Sequence, residues 1–322
     1  MRITIASACI AAASTWVQHA AAQTYPERPI RIVVPFPPGG STDFSARILA
    51  AHLPGTLRQT IVIDNRGGAG GNIGADIAAK AAPDGYTLLV APEGPITISS
   101  SLYPKLPYVA LRDLTAITQL IKYANVLVLH PSMKASSAKE LIARAKEQPG
   151  KLTYAHPGVG TNPHLGAELF KMMAGVDIVG VSYKGGGPAI VGVIGNETQM
   201  SFATAPSSIP HVKSGRLKAI AVTSGKRSAA LPDLPTISES GVPGYNVEGW
   251  VGFFAPAKTP GKIIARLYEE AVKVMRLQET KDAVLASGSE TVGNAPEELN
   301  TIMRDETAMW AKVVKAVGVK LE

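Results

Sequence analysis

Residues 30–43, IRIVVPFPPGGSTD, decide how the rest of the chain folds. The first five, Ile30 to Val34, are mostly β-branched and apolar, as a buried strand requires. The prolines and glycines that follow cannot continue it. Ser41, Thr42 and Asp43 then offer helix-capping oxygens just ahead of the periodic run FSARILAAHL, which predicts a helix interrupted at Pro54 and Gly55. Such a junction leaves unpaired N–H groups at the positive end of a helix dipole, where an anion is stabilised. An ordinary tight strand-to-helix turn has the same composition, so this stretch alone establishes an α/β unit and not a function.

Toward the N-terminus, residues 1–22 carry one basic residue, an apolar run of small residues and an A-x-A pattern at Ala20 and Ala22. That pattern predicts a secretory signal cut before Gln23. Cys9, the one cysteine, falls inside it, and the bulky residue that opens a lipoprotein attachment box is missing, so an exported, cysteine-free mature chain is expected. The remaining residues exceed what one core usually holds, which predicts two domains. The formal charge of +7 becomes +6 once Arg2 is removed (7 − 1 = 6). Lys and Arg are scattered rather than clustered with aromatics, which argues against nucleic acid and mildly favours small anions.

Toward the C-terminus, strand and helix signals alternate. TIVID (residues 60–64) reads as a strand, followed by NRGGAGGNIG and a helix over residues 72–82 that ends at PDG. A dinucleotide fingerprint built on Gly68 and Gly70 needs glycine at 73, where Ile73 stands, so it fails. YTLLVAP (residues 86–92) is a strand running into a loop at Glu93, Gly94 and Pro95. LTAITQL is followed by the strand VLVLHPS (residues 126–132), and Ser137 with Glu140 has capping-box spacing. LTYAHPG, VDIVGVSY, TQMSFAT and LKAIAVTS extend the alternation. They predict parallel α/β layers throughout, in two sheets of a few strands each. WVGFFAPAKTP (residues 250–260) ends a strand in a turn before an amphipathic helix. The tail, residues 296–317, is a further helix with Leu299, Ile302, Met303 and Trp310 at core spacing.

A second junction, LTYAHPGVGTNPHLGAELFKMMAG (residues 152–175), repeats the design of the first. Gly158 and Gly160 make the turn, Thr161 or Asn162 caps the helix, and Leu165, Leu169 and Met172 are its expected apolar face. YKGGGPA (residues 183–189) is a third such turn. Several of these in one α/β chain suggest an anion-binding cleft.

The motifs YPERPIRIVVPFPPGGSTDFSAR, DNRGGAGGNIGADIAAKAAPDGYTLL, KELIARAKEQPGKLTYAHPGVGTNPHLGAELFKMMAGVD, YKGGGPA, GRLKAIAVTS and LPDLPTISESGVPGY together resemble the TctC, or Bug, family. These are extracytoplasmic solute receptors of tripartite tricarboxylate transporters, and the resemblance covers essentially the whole mature chain. It implies a periplasmic binding protein fold: two α/β domains joined by two crossing strands, with a ligand cleft between. Residues 24–124 with 246–322 would form domain 1 and residues 125–245 domain 2, with VLVLHPS and WVGFFAP as crossings.

The resemblance further implies a monomeric periplasmic receptor without catalytic residues, metal or cofactor. It would capture a small di- or tricarboxylate or aromatic acid and serve membrane permease subunits. On the matching positions, Gly40, Ser41 and Thr42 would hold the acid from one side, and Gly160, Thr161 and Asn162 from the other. Asp43 matches an acidic position of the family, and its expected work is to order the turn. Phe36 is a candidate apolar wall, His164 a supporting histidine and Tyr183 a cleft hydroxyl, while Glu93 and Thr204 are candidates for setting specificity. Gly67, Val191, Gly192 and the GNETQM turn depart from the family pattern and leave the third face of the pocket open. The competing functions are an orphan receptor presenting its ligand to a sensor and an exported hydrolase. Against the hydrolase, no G-x-S-x-G occurs, and His52, His130, His156, His164 and His211 show no zinc-ligand spacing.

Overall fold

The structure, a computed structural model, describes residues 25–319. The signal segment predicted for residues 1–22, Cys9 included, lies outside them. The chain runs β1 (Ile30–Val34), α1 (Ser41–Leu57), β2 (Ile61–Asn65), α2 (Asn72–Ala79), β3 (Thr87–Pro92), α3 (Ser99–Leu102), α4 (Ala110–Asp113), β4 (Leu114–Leu129), α5 (Ala138–Glu147) and β5 (Thr153–His156). It continues with α6 (Asn162–Ala174), β6 (Val179–Ser182), α7 (Gly186–Ile194), β7 (Met200–Thr204), α8 (Ala205–Lys213), β8 (Lys218–Val222), β9 (Glu248–Pro256), α9 (Gly261–Arg276), α10 (Gln278–Ala286), β10 (Ser289–Thr291) and α11 (Pro296–Val317).

The strands are ordered β2-β1-β3-β9-β4-β7-β5-β6, with β10 and β8 also pairing with β4. β1 is parallel to β2 and β3, placing Ile32 opposite Ile63 and Leu88. β5 is parallel to β6 and β7. These are the strand–helix–strand units read from the sequence, and helices cover their faces as parallel sheets require.

The middle of the array overturns the expectation of parallel strands throughout. β9 is antiparallel to both β3 and β4, and β4 is antiparallel to β7 and β8. The chain leaves one sheet along β4 and returns along β9, so the two crossings run in opposite directions. β4 changes partner within its length: Leu114 to Ala124 face β9, and from Asn125 onward the strand faces β7 and β8. The segments LTAITQL and VLVLHPS are therefore one strand. It is apolar almost throughout because it is covered on both faces, and Lys122 alone along it is exposed.

Other expectations change for local reasons. α1 continues through Pro54 and Gly55 because the proline stands in the last turn, and Arg58 then terminates the helix in the left-handed region (φ 54°). α2 stops at Ala79, short of residue 82. Gly94–Ile98 forms a π-helical turn instead of a loop. Met172 is 48% exposed and Leu169 only half-buried, since α6 turns Pro163, His164, Gly166, Ala167 and Phe170 inward beside Leu165. α10 and β10 had no clear sequence signal.

One buried cluster gathers Ile32, Leu49 and Leu88, a second Leu127, Tyr154, Phe170 and Phe202, and a third Val33, Leu89 and Phe254. Each large side chain so buried contributes about 1.5–3 kcal/mol. α11 serves two of them. Leu299 and Met303 belong to the third cluster, while Trp310 and Val314, further along the helix, belong to the second.

Candidate functional site

Four helices begin at one place. A cavity of about 430 Å³ is lined by Gly40, Ser41 and Thr42 from α1, by Thr161, Asn162 and Pro163 from α6, by Gly186 from α7 and by Thr204, which precedes α8. Phe36, Pro92, Glu93, Gly94, Tyr123 and Pro157 complete the wall. No Lys or Arg is among these residues. What the wall offers an anion instead is helix N-termini, each equivalent to about half a unit of positive charge, with first-turn N–H groups that no helix carbonyl can reach.

The α1 turn is held from behind. Asp43 accepts hydrogen bonds from the Gly39 N–H (3.2 Å), Arg47 Nε (2.8 Å) and Asn65 Nδ2 (3.2 Å). It stands outside the cavity wall and orders the turn. Asn65 Nδ2 also donates to the Phe36 carbonyl (2.8 Å), which fixes where the ring begins. Ser41 Oγ lies 3.3 Å from the Tyr123 hydroxyl.

The α6 turn is fastened to the crossing strands. Asn162 Oδ1 accepts from Asn125 Nδ2 of β4 (2.6 Å), and Asn162 Nδ2 donates to the Glu248 carbonyl of β9 (2.7 Å). Thr161 Oγ1 donates to the Gly158 carbonyl (2.7 Å). Thr223 ties the same strands together: its N–H donates to the Asn125 carbonyl, its hydroxyl accepts from the Asn125 N–H (2.8 Å), and that hydroxyl donates to the Val247 carbonyl (2.6 Å).

Behind this turn, His164 Nδ1 accepts from the Gly160 N–H and His156 Nδ1 from the Gly158 N–H. The two rings lie 4.4 Å apart between centroids. Burial and then the neighbouring imidazole push the His164 pKa down to about 3, and burial lowers that of His156. Both are neutral at ordinary pH. Gly160 and His164 thus shape the turn without lining the cavity. Tyr183 also lies outside the wall, where it donates to Glu197 (2.9 Å).

Next to Gly186 and Gly94 of the wall, main chain approaches main chain closely. A Cβ at Gly187 would fall 2.9 Å from the Pro38 carbonyl oxygen, and one at Gly70 2.7 Å from the Val159 carbonyl oxygen. Only glycine permits approach this close.

Phe36, Gly40, Ser41, Thr42, Glu93, Thr161, Asn162 and Thr204, all singled out from sequence, are brought together here. Tyr123 and Gly186 were missed. Tyr123 had a signal, since with Lys122 and Asn125 it interrupts an apolar strand with polar groups. Gly186 stands in the third glycine turn.

The chain can now be set beside known proteins. Residues 45–319 match the tripartite tricarboxylate transporter family receptor, TctC. Protein BugT of Bordetella pertussis is 39% identical, covering 94% of this chain and 93% of that one. An R. palustris protein solved with adipate superposes with a TM-score of 0.89 at 34% identity, covering 92% of this chain and 99% of that one. MatC from Rhodopseudomonas palustris, solved with bound malate, gives 0.86 at 31% identity, covering 90% and 100%. This chain belongs to the TctC family of tripartite tricarboxylate transporter receptors, and is a solute-binding receptor of the TctC or Bug type.

Proposed function

We propose that the protein is a periplasmic receptor that captures a small carboxylate in the cavity between α1, α6, α7 and α8 and delivers it to the permease of a tripartite tricarboxylate transporter. The observation that carries this is the convergence of four helix N-termini on a wall without Lys or Arg. Such a wall favours an anion through amide N–H groups, hydroxyls and dipoles. Ser41 and Thr42 supply hydroxyls and amides on one side, and the Asn162 N–H at the start of α6 acts on the other. Adipate and malate in related structures support a carboxylate as the anion.

The proposed lobes are residues 24–124 with 246–322 and residues 125–245. They close by hinging where β4 passes from Ala124 to Asn125 and where β9 begins, a motion of the kind that encloses ligands between two domains. A thermal-shift panel of acetate, malate, adipate, citrate and benzoate tests the proposal. At least one acid raises the melting temperature, because a ligand that binds only the native state stabilises it. A flat response to all five would remove the carboxylate reading.

A further inference from the structure

Glu93 is the only ionisable carboxyl group in the cavity wall. It is 1% exposed, and among the described residues no cationic group pairs with it. One carboxyl oxygen, Oε2, accepts from the Trp250 N–H (3.2 Å). The other, Oε1, reaches no other residue's donor among the described residues. Behind it lies a second, half-buried acid, Glu306, whose two oxygens accept from Trp250 Nε1 at 2.9 Å, one of them also from Thr97 Oγ1 at 3.3 Å. The remaining titratable groups facing this pair are the Tyr123 hydroxyl from β4, itself buried, and Glu248 from β9.

A carboxylate ligand brings a further negative charge into this enclosed space. Three acids cannot all stay ionised there without a cation, because desolvation and mutual repulsion both favour protonation of one of them. The ligand has first claim on the helix N-termini. Glu93, which has no comparable partner, is therefore the group that holds a proton. Burial, and then Glu306, already push its pKa up to about 8, and burial pushes that of Glu306 up to about 7. A neutral carboxyl donates through O–H, and a hydrogen bond from O–H to a carboxylate is among the shorter and stronger kinds.

We propose that neutral Glu93 donates a hydrogen bond to the carboxylate of the captured acid, so that the receptor selects anions through a protonated side chain and couples capture to its protonation. This rests on the carboxylate reading above. The ligand class it names is acids without an ammonium group, since an ammonium would call for an ionised Glu93. The sign follows from the form that binds: affinity is full while Glu93 is protonated and is lost as pH rises through about 8.

The probe is whichever of the five acids gives the largest thermal shift, titrated calorimetrically into the full chain between about pH 6 and pH 9 in buffers of different ionisation enthalpy. Affinity should hold steady to about pH 7 and fall about tenfold by about pH 9, with roughly half a proton taken up per ligand near pH 8. Glu93→Gln, still a donor but unable to titrate, should bind within a few-fold of the parent at pH 7 and keep that affinity to pH 9. Glu306→Gln should move the fall to lower pH without removing it. Binding that is independent of pH, with no proton uptake, overturns the inference while leaving the carboxylate reading in place. Binding that tightens as pH rises overturns it, because the form that binds the acid would then be the one without the proton. No binding by any acid removes both. If Glu93→Gln fails to fold, proton uptake by the parent chain decides.

Discussion

The first turns of α1 and α6 look alike in sequence, each a glycine turn followed by hydroxyl and amide residues, yet they use those side chains differently. In α1 the side chains behind the turn do the fastening: Asp43 is engaged with Gly39, Arg47 and Asn65. Ser41 and Thr42 line the cavity, and among the described residues the Ser41 hydroxyl has the Tyr123 hydroxyl as its one side-chain partner. In α6 the residues that line the cavity are themselves committed, Thr161 to the Gly158 carbonyl and Asn162 to both crossing strands. One turn presents hydroxyls to a guest. The other has its lining side chains already engaged, and through Asn162 they tie the site to β4 and β9.

The comparison is open to attack, most strongly at Asn162. Asn162→Ala leaves the Asn125 amide and the Glu248 carbonyl without their partner and should cost about 2–4 kcal/mol in a urea titration. Intact stability with lost ligand affinity would show instead that the Asn162 side chain serves the guest, and the contrast would fail.

A smaller effect concerns the histidines behind α6. The folded His164 pKa of about 3 lies below its unfolded value near 6.5, so folding favours the neutral ring. The stability this gives is complete above about pH 6.5 and is lost as pH falls toward 3, by up to about 1.4 kcal/mol per unit. Melting temperatures across that range should follow this slope, and His164→Asn should flatten it. An unchanged slope in the variant would place the acid sensitivity elsewhere.

The finest distinction is between the two threonines. Thr42→Val should weaken acid binding about tenfold at little cost in stability. Thr161→Val should cost about 1 kcal/mol of stability and change affinity less than threefold. Calorimetry beside chemical denaturation separates them, and equal losses of affinity would make the turns equivalent after all.

Local signals in the chain revealed the parts of the site that depend on neighbours in sequence. The strand IRIVV, the turn PFPPGG and the caps Ser41 and Thr42 are contiguous, and so are GVGTNPHL and the start of α6. Helix α11 was legible over its full span because its apolar spacing is unbroken. What escaped depends on distant partners. β4 reads as two strands because Lys122, Tyr123 and Asn125 interrupt its apolar run, and only the return of β9 explains why it continues. The Glu93–Glu306 pair joins residues far apart in the chain, and no spacing rule connects them. Met172 was misplaced because the periodicity of α6 fits more than one face, and packing against β7 and α11 selects the face that includes Phe170.

Gly187 beside Pro38 and Gly70 beside Val159 bring main chain against main chain, with no side chain between them to yield. On the proposed reading, an acid too long for the cavity would meet that main chain, and the two proposed lobes would stop short of meeting. On the same reading, a docked permease would tell a fitting acid from an oversized one by how fully the lobes meet, without touching the acid itself.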